Sequence, residues 1–325
     1  FYSTRMIELR AIVRKNKPRI DENEIENMSK RILGPVSHTF FSQRMRLHYT
    51  DWGNSDAPPL LLIHGGRDHG RSWDWVAQQF SNDWHVMVPD LRGHGDSDWV
   101  EDGNYEMAAY LYDLDQLIYQ QKLAPATIIS HSLGGNIALR YSGLYPQNVK
   151  AIVAIEGLGL SPKMQAELRE RPLADRLRSW ISKRRDLAGK LPKKYTSMES
   201  AINRMTEENQ HLSEEMATHL TVHGVNQNED GTFSWKFDNY VRSWPAYDMP
   251  EKDIQKLWSE INCPTLLIHG LESWASDPSK DGRADFFKSA EVNGFKGAGH
   301  WVHHDCPDKF IACVRKFFSC YNLPS

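Results

Sequence analysis

The chain has 325 residues, 40% of them hydrophobic and 11% aromatic, with a formal net charge of −3. That is enough for one large domain with an insertion or for two modest domains, and a near-neutral balance whose basic clusters stay local, as in Lys183-Arg184-Arg185, excludes a polyanion-binding protein. No apolar run approaches the ~20 residues that span a bilayer, and the first residues lack the charged-apolar-small order of a signal peptide. A cytoplasmic protein without nucleic-acid partner or stable membrane insertion is therefore expected, and its oligomeric state is not legible.

Residues 1–36 are charged, contain Pro18 and Pro35, and read as an N-terminal arm in which "MIELRAIVRK" has the pattern of a short basic amphipathic helix. From residue 37 the pattern changes. "HTFFSQRMRLHYTDWG" predicts a hairpin-like pair of strands, "PPLLLIHGG" a strand buried on both faces and ended by glycines, and "RSWDWVAQQF" a helix. A second buried strand in "WHVMVPDLRGHGDS" closes in a Gly-rich turn, and "YEMAAYLYDLDQLIYQQ" has helical periodicity. "ATIIS" and "VKAIVAIEG" repeat the strand signal on either side of a helix over 133–145. Such alternation implies an α/β fold with a mostly parallel, doubly wound central sheet and right-handed crossovers.

The rhythm breaks at 160–258, where charged helical segments and the aromatic stretch "GTFSWKFDNYVRSW" carry no buried-strand pattern. A run of that length is far more than a crossover needs, so an inserted helical cap is expected between core segments 37–159 and 259–325. The sheet signal resumes in "CPTLLIHG" and "AEVNGFKG", and "DKFIACVRKFFSCY" reads as a closing amphipathic helix. Three of the four cysteines, Cys306, Cys313 and Cys320, recur at intervals of seven, which suits a stripe of small buried hydrophobes better than a disulfide or zinc framework.

The stretch "ATIISHSLGGNIAL" runs from a strand straight into a helix through Ser-His-Ser-Leu-Gly-Gly. A phosphate loop would need a lysine here, and a dinucleotide loop would come earlier in the fold. What remains is a nucleophile elbow with Ser132 at its tip, His131 beside it, and Ser130 where glycine is usual. A serine needs a base, and the Gly-Ala-Gly-His turn after the last strand offers His300, with His303 and His304 as rivals closer to the helix. For the acid, Glu156 at the end of "VKAIVAIEG" is favoured over Asp277, because Ser273 stands where the loop after "TLLIHG" would otherwise place a carboxylate. The oxyanion donors expected are the backbone amides of Leu133 and Gly66, with His64 read as structural.

With these motifs in order, "LLIHGG", "VPDLRGHGDS", "SHSLGGNIAL" and "GAGHWVHHD", the chain resembles the α/β-hydrolase fold superfamily over residues 38–325, in its serine-nucleophile, helical-cap branch. The resemblance implies an acyl-enzyme mechanism on a small-to-medium carboxylic ester or lactone, with no metal or organic cofactor, and a structural role for Asp90. A serine at the elbow disfavours the dehalogenase and epoxide-hydrolase chemistry that runs through aspartate. C–C hydrolases, lyases and non-catalytic binding proteins share the framework and stay open as alternatives. Arg67, His131 and Trp235 are expected near the pocket, with Trp180, Phe233, Phe237 and Trp244 as a further apolar wall or as cap packing. Arg67 and Arg71 would suit the second carboxylate that a C–C enzyme's substrate carries.

Overall fold

The computed structural model describes residues 34–325, so the N-terminal arm and its expected helix lie outside the described residues. The opening hairpin is β1 (Val36–Ser42) and β2 (Met45–Asp51), followed by β3 (Pro59–Ile63), α1 (Asp74–Phe80), β4 (His85–Pro89), α2 (Met107–Gln120), β5 (Ala126–His131), α3 (Ser132–Leu144) and β6 (Val149–Ile155). After a long interruption come β10 (Thr265–Gly270), β11 (Ala290–Phe295), the short α9 (Val302–Asp305) and α10 (Pro307–Cys320). The eight strands form one sheet in the order β1-β2-β4-β3-β5-β6-β10-β11. Only β2 with β1 and with β4 pairs antiparallel. The sheet is thus the mostly parallel one expected.

Its central strands lack alternation because both faces are covered. In β3, Leu61 and Ile63 join a layer with Ile128, Ile152 and the α2 residues Leu114 and Leu117, while Leu60 and Leu62 join the opposite layer with Val153, Ile268 and Phe310 of α10. Successive side chains leave a strand on opposite faces, so each strand supplies two cores at once.

Between β6 and β10 lie α4 (Pro162–Glu170), α5 (Leu173–Leu187), α6 (Met198–Glu208), α7 (Glu214–Gly224) and α8 (Glu251–Glu260). The segment is not purely helical. Short strands β7 (Lys194–Tyr195), β8 (Val225–Gln227) and β9 (Phe233–Trp235) pair antiparallel in the order β7-β9-β8, which strands of two and three residues are too short to announce by periodicity. Arg140 of α3, buried, ties this segment to the sheet domain through two 2.6 Å bonds to Asp248.

The cysteine stripe needs correcting. Of the three at intervals of seven, Cys306 precedes α10, Cys313 is half-buried and Cys320 is exposed; only Cys263 is buried. The buried face of α10 is Phe310, Val314, Phe317 and Phe318, set one position further round.

One ion pair inside the fold carries a stability prediction. The Arg92 guanidinium donates to Asp113 from Nε at 2.5 Å and Nη2 at 2.6 Å, both side chains are under a tenth exposed, and Ser42 Oγ donates to the same carboxylate at 2.5 Å. Asp113→Ala leaves a buried guanidinium without its counter-ion, and chemical denaturation should show a loss of about 3–5 kcal/mol. A loss under about 1 kcal/mol would mean that Arg92 reaches water.

Candidate active site

Ser132 is the first residue of α3, directly after β5, and holds φ at +51°, a left-handed conformation that side chains rarely adopt. Such a residue costs of order 1–3 kcal/mol and persists only where its surroundings enforce it. The enforcement comes from two glycines. A Cβ on Gly134 would fall 2.5 Å from the His64 carbonyl oxygen, and one on Gly135 would fall 2.6 Å from Gly157 Cα. The start of α3 is therefore pressed against the tips of β3 and β6. Ser130 fits where glycine is usual because its fully buried hydroxyl donates to the Val153 carbonyl at 3.1 Å.

His300, in the loop between β11 and α9, brings Nε2 to 3.0 Å from Ser132 Oγ. Its Nδ1 hydrogen-bonds Glu156 Oε2. Glu156 follows β6 directly at φ +48°, with its side chain wholly buried. Its Oε1 accepts the Gly270 N–H at 2.9 Å, and its Oε2 also accepts the Ser273 hydroxyl at 2.7 Å. Ser273, noticed in the sequence only as a missing carboxylate, is thus a donor that holds the carboxylate of the neighbouring strand. With Nδ1–H facing Glu156, the lone pair of Nε2 faces the serine hydroxyl.

Asp277, the alternative acid, is not brought to His300. It lies 3.5 Å from His269 Nε2 and accepts from the N–H and hydroxyl of Ser279 at 3.0 and 2.7 Å, and these donors hold its carboxyl below the usual range despite partial burial. Gly66 is exposed, and a Cβ there would stand 3.9 Å from Leu133 Cδ2, so the loop carrying Gly66 passes beside the Leu133 side chain.

His131 must be removed from the pocket. It is 1% exposed, burial pushes its pKa far down, and its Nε2 donates to the His300 carbonyl at 3.0 Å. As the last residue of β5 it points away from the face that presents Ser132. Arg67 and Trp235 do line one cleft, together with Met205, Phe237 and Trp301. The rest of the aromatic wall does not form. Phe233 packs with Tyr195 and Val225, Trp180 lies under Arg184, and Trp244 is exposed. Arg71 is occupied as well, bonded through Nε to Asp74 at 2.8 Å.

Asp74, His219 and His223 offer metal-ligand atoms within 4.8 Å of one another. The Arg71 guanidinium sits on that carboxylate, so the cluster already holds a cation of its own. His48, Asp90 and Asp96 group similarly, but Asp90 is filled by the Gly70 N–H at 2.6 Å, the Asp96 N–H at 2.9 Å and His48 at 2.7 Å. Asp90 is the hub of its turn.

Several buried histidines surround the centre. His64 donates from Nδ1 to the Gly65 carbonyl at 2.7 Å and accepts the Leu91 N–H on Nε2 at 2.9 Å, and burial lowers its pKa to about 3. Burial likewise lowers His94 to about 4 and His304 to about 3, and pushes His131 and His303 far down. All five are neutral in the folded protein at neutral pH and regain an ordinary pKa near ~6.5 on unfolding. Their folded-state pKa is depressed, so the unfolded chain binds more protons below that value and stability falls as pH drops through ~6.5 toward ~4. The urea midpoint at pH 5.5 should accordingly lie below that at pH 7.5, and a flat midpoint would contradict this account.

A family profile described as the alpha/beta hydrolase fold matches residues 58–307. The chain belongs to the α/β-hydrolase fold family, and it is a hydrolase. It is similar to a serine hydrolase-like protein of Danio rerio, 27% identical over 82% of this chain and 83% of the relative. An esterase of Escherichia coli K12 is 24% identical over 80% of this chain and 93% of its own length. Among solved structures, a thioesterase domain from the curacin biosynthetic pathway superposes with a TM-score of 0.73 at 21% identity, covering 86% of this chain and 99% of the domain. An esterase from Mycobacterium tuberculosis superposes at 0.67 and 19% identity, covering 94% of this chain and all of that one. No helix among the described residues is long and apolar enough to cross a membrane.

Proposed function

We propose that this hydrolase cleaves a small-to-medium carboxylic ester or lactone through an acyl-enzyme on Ser132. The observation that carries the proposal is the hydrogen-bonded series from Ser132 Oγ through His300 to the buried Glu156, with the serine held on a strained turn. His300 Nε2 takes the hydroxyl proton as Oγ attacks the carbonyl carbon, and the Glu156 carboxylate stabilises the imidazolium that forms. The amides of Gly66 and Leu133 receive the developing oxyanion, each donor of this kind being worth about 3–4 kcal/mol in the barrier. Imidazolium then protonates the leaving alcohol. Water, deprotonated by the same nitrogen, releases the acid.

The charged surface of α4 and α5 favours a compact substrate over a long-chain triglyceride. The test is fluorophosphonate labelling mapped by mass spectrometry, run beside a p-nitrophenyl ester series from acetate to decanoate. Label on Ser132 with turnover greatest for short or medium acyl chains is the expected result. Label without ester turnover would move the substrate to lactones or C–C bonds, and no label at all would leave a ligand-binding member of the fold.

A further inference from the structure

The cleft lined by Arg67 and Trp235 adjoins the reacting centre along the chain. Arg67 follows the expected oxyanion residue Gly66, and Trp301, on another wall, follows His300. The basic groups around it divide into two kinds. Lys236 is held by Asp96 at 2.8 Å, Arg71 by Asp74, and Arg204 by Glu207 and Glu208 on its own helix. Arg67 and Arg242 make no side-chain hydrogen bond or ion pair among the described residues.

Both of these arginines border the cleft. Arg67 holds a left-handed backbone at φ +64°, which sets its direction out of the oxyanion loop. The Arg242 guanidinium lies over the ring of Phe237, a cleft residue, at 5.2 Å from its centroid. Through that ring Arg242 borders the same cleft that Arg67 lines. The cleft's own carboxylate does not answer them. Asp68 is turned to the His69 N–H at 2.8 Å and the Ser72 hydroxyl at 3.0 Å, and burial raises its pKa. Two guanidinium groups bordering one cleft, neither bonded to a carboxylate among the described residues, suit an anionic ligand.

We infer that the ester cleaved at Ser132 carries a free carboxylate held by Arg67 and Arg242, its carbon chain lying along Trp235 and Phe237. The substrate class is then the half-ester of a dicarboxylic acid. This rests on the ester-hydrolase reading above and narrows it. Neutral esters of the same length would lack the ion pairs and bind more weakly.

The test compares mono-p-nitrophenyl adipate with p-nitrophenyl hexanoate, which differ by the terminal carboxylate. The wild-type kcat/KM should favour the adipate by about tenfold at low ionic strength, the scale of one charge-assisted contact, and the advantage should shrink with added salt. Arg67→Gln and Arg242→Gln should each collapse the adipate-to-hexanoate ratio, mostly through KM. Free adipate should compete with the hexanoate in the wild type and compete poorly in either variant. The rate of fluorophosphonate labelling shows that each variant is folded. A ratio at or below one in the wild type, or a ratio that both variants leave unchanged, overturns the carboxylate while a Ser132-dependent hydrolysis of the hexanoate keeps the ester reading. Failure to turn over either ester overturns both.

Discussion

Ser132→Ala is expected to lower kcat/KM on the best p-nitrophenyl ester by about 10⁴- to 10⁶-fold, the range seen when a nucleophile acting as part of a unit is removed. The change is local. Ser132 Oγ is the atom His300 Nε2 faces at 3.0 Å, and alanine leaves the left-handed turn, the oxyanion amides and the cleft in place. What survives is therefore the contribution of binding and oxyanion stabilisation alone. Because the mutation removes a small exposed-side group without opening a core cavity, the denaturation midpoint should move little. Activity above about one per cent of the wild type, with the fold intact, would mean that a different group makes the covalent bond.

The second large effect is expected at Glu156→Gln, a loss of about 10³- to 10⁴-fold in kcat, the scale found where the acid partner of the histidine becomes an amide. Three donors converge on this carboxylate: His300 Nδ1, the Gly270 N–H and the Ser273 hydroxyl. A glutamine has one acceptor oxygen to offer them and turns an NH₂ group toward a donor. The imidazole can relieve that conflict by moving its proton to Nε2, which removes the lone pair the serine needs. Asp277→Asn is the matched comparison and should stay within about threefold of the wild type, since that carboxylate serves His269 and Ser279. If Asp277→Asn were the more damaging of the two, the acid would have been misassigned.

The sheet was legible because its strands are buried on both faces. "LLLI", "VMV" and "AIVAI" are unbroken apolar runs ended by glycine or a polar residue, and the helices between them keep their period. The small β7-β9-β8 sheet was not, since two- and three-residue strands carry no periodicity and are set by their partners across the insertion. At the site, Ser132 and His300 could be placed from their turn chemistry alone. Glu156 could only be ranked above Asp277, because the deciding contact is made across strands by residues 144 positions apart. His131 was misplaced for a similar reason: its partner, the His300 carbonyl, lies 169 positions away. Ser273 could have been found by asking what holds a buried carboxylate at the tip of β6.

The hold of Ser273 on Glu156 has a consequence for how such a centre can be rewired. The Ser273 hydroxyl reaches within 2.7 Å of the oxygen that faces the imidazole, so the tips of β6 and β10 address one point in space. Lengthening Ser273 to aspartate while replacing Glu156 by glycine, which also tolerates the left-handed φ there, would carry the negative charge from one strand to its neighbour without moving the histidine. The imidazole would then answer to the position of the charge rather than to the residue that carries it.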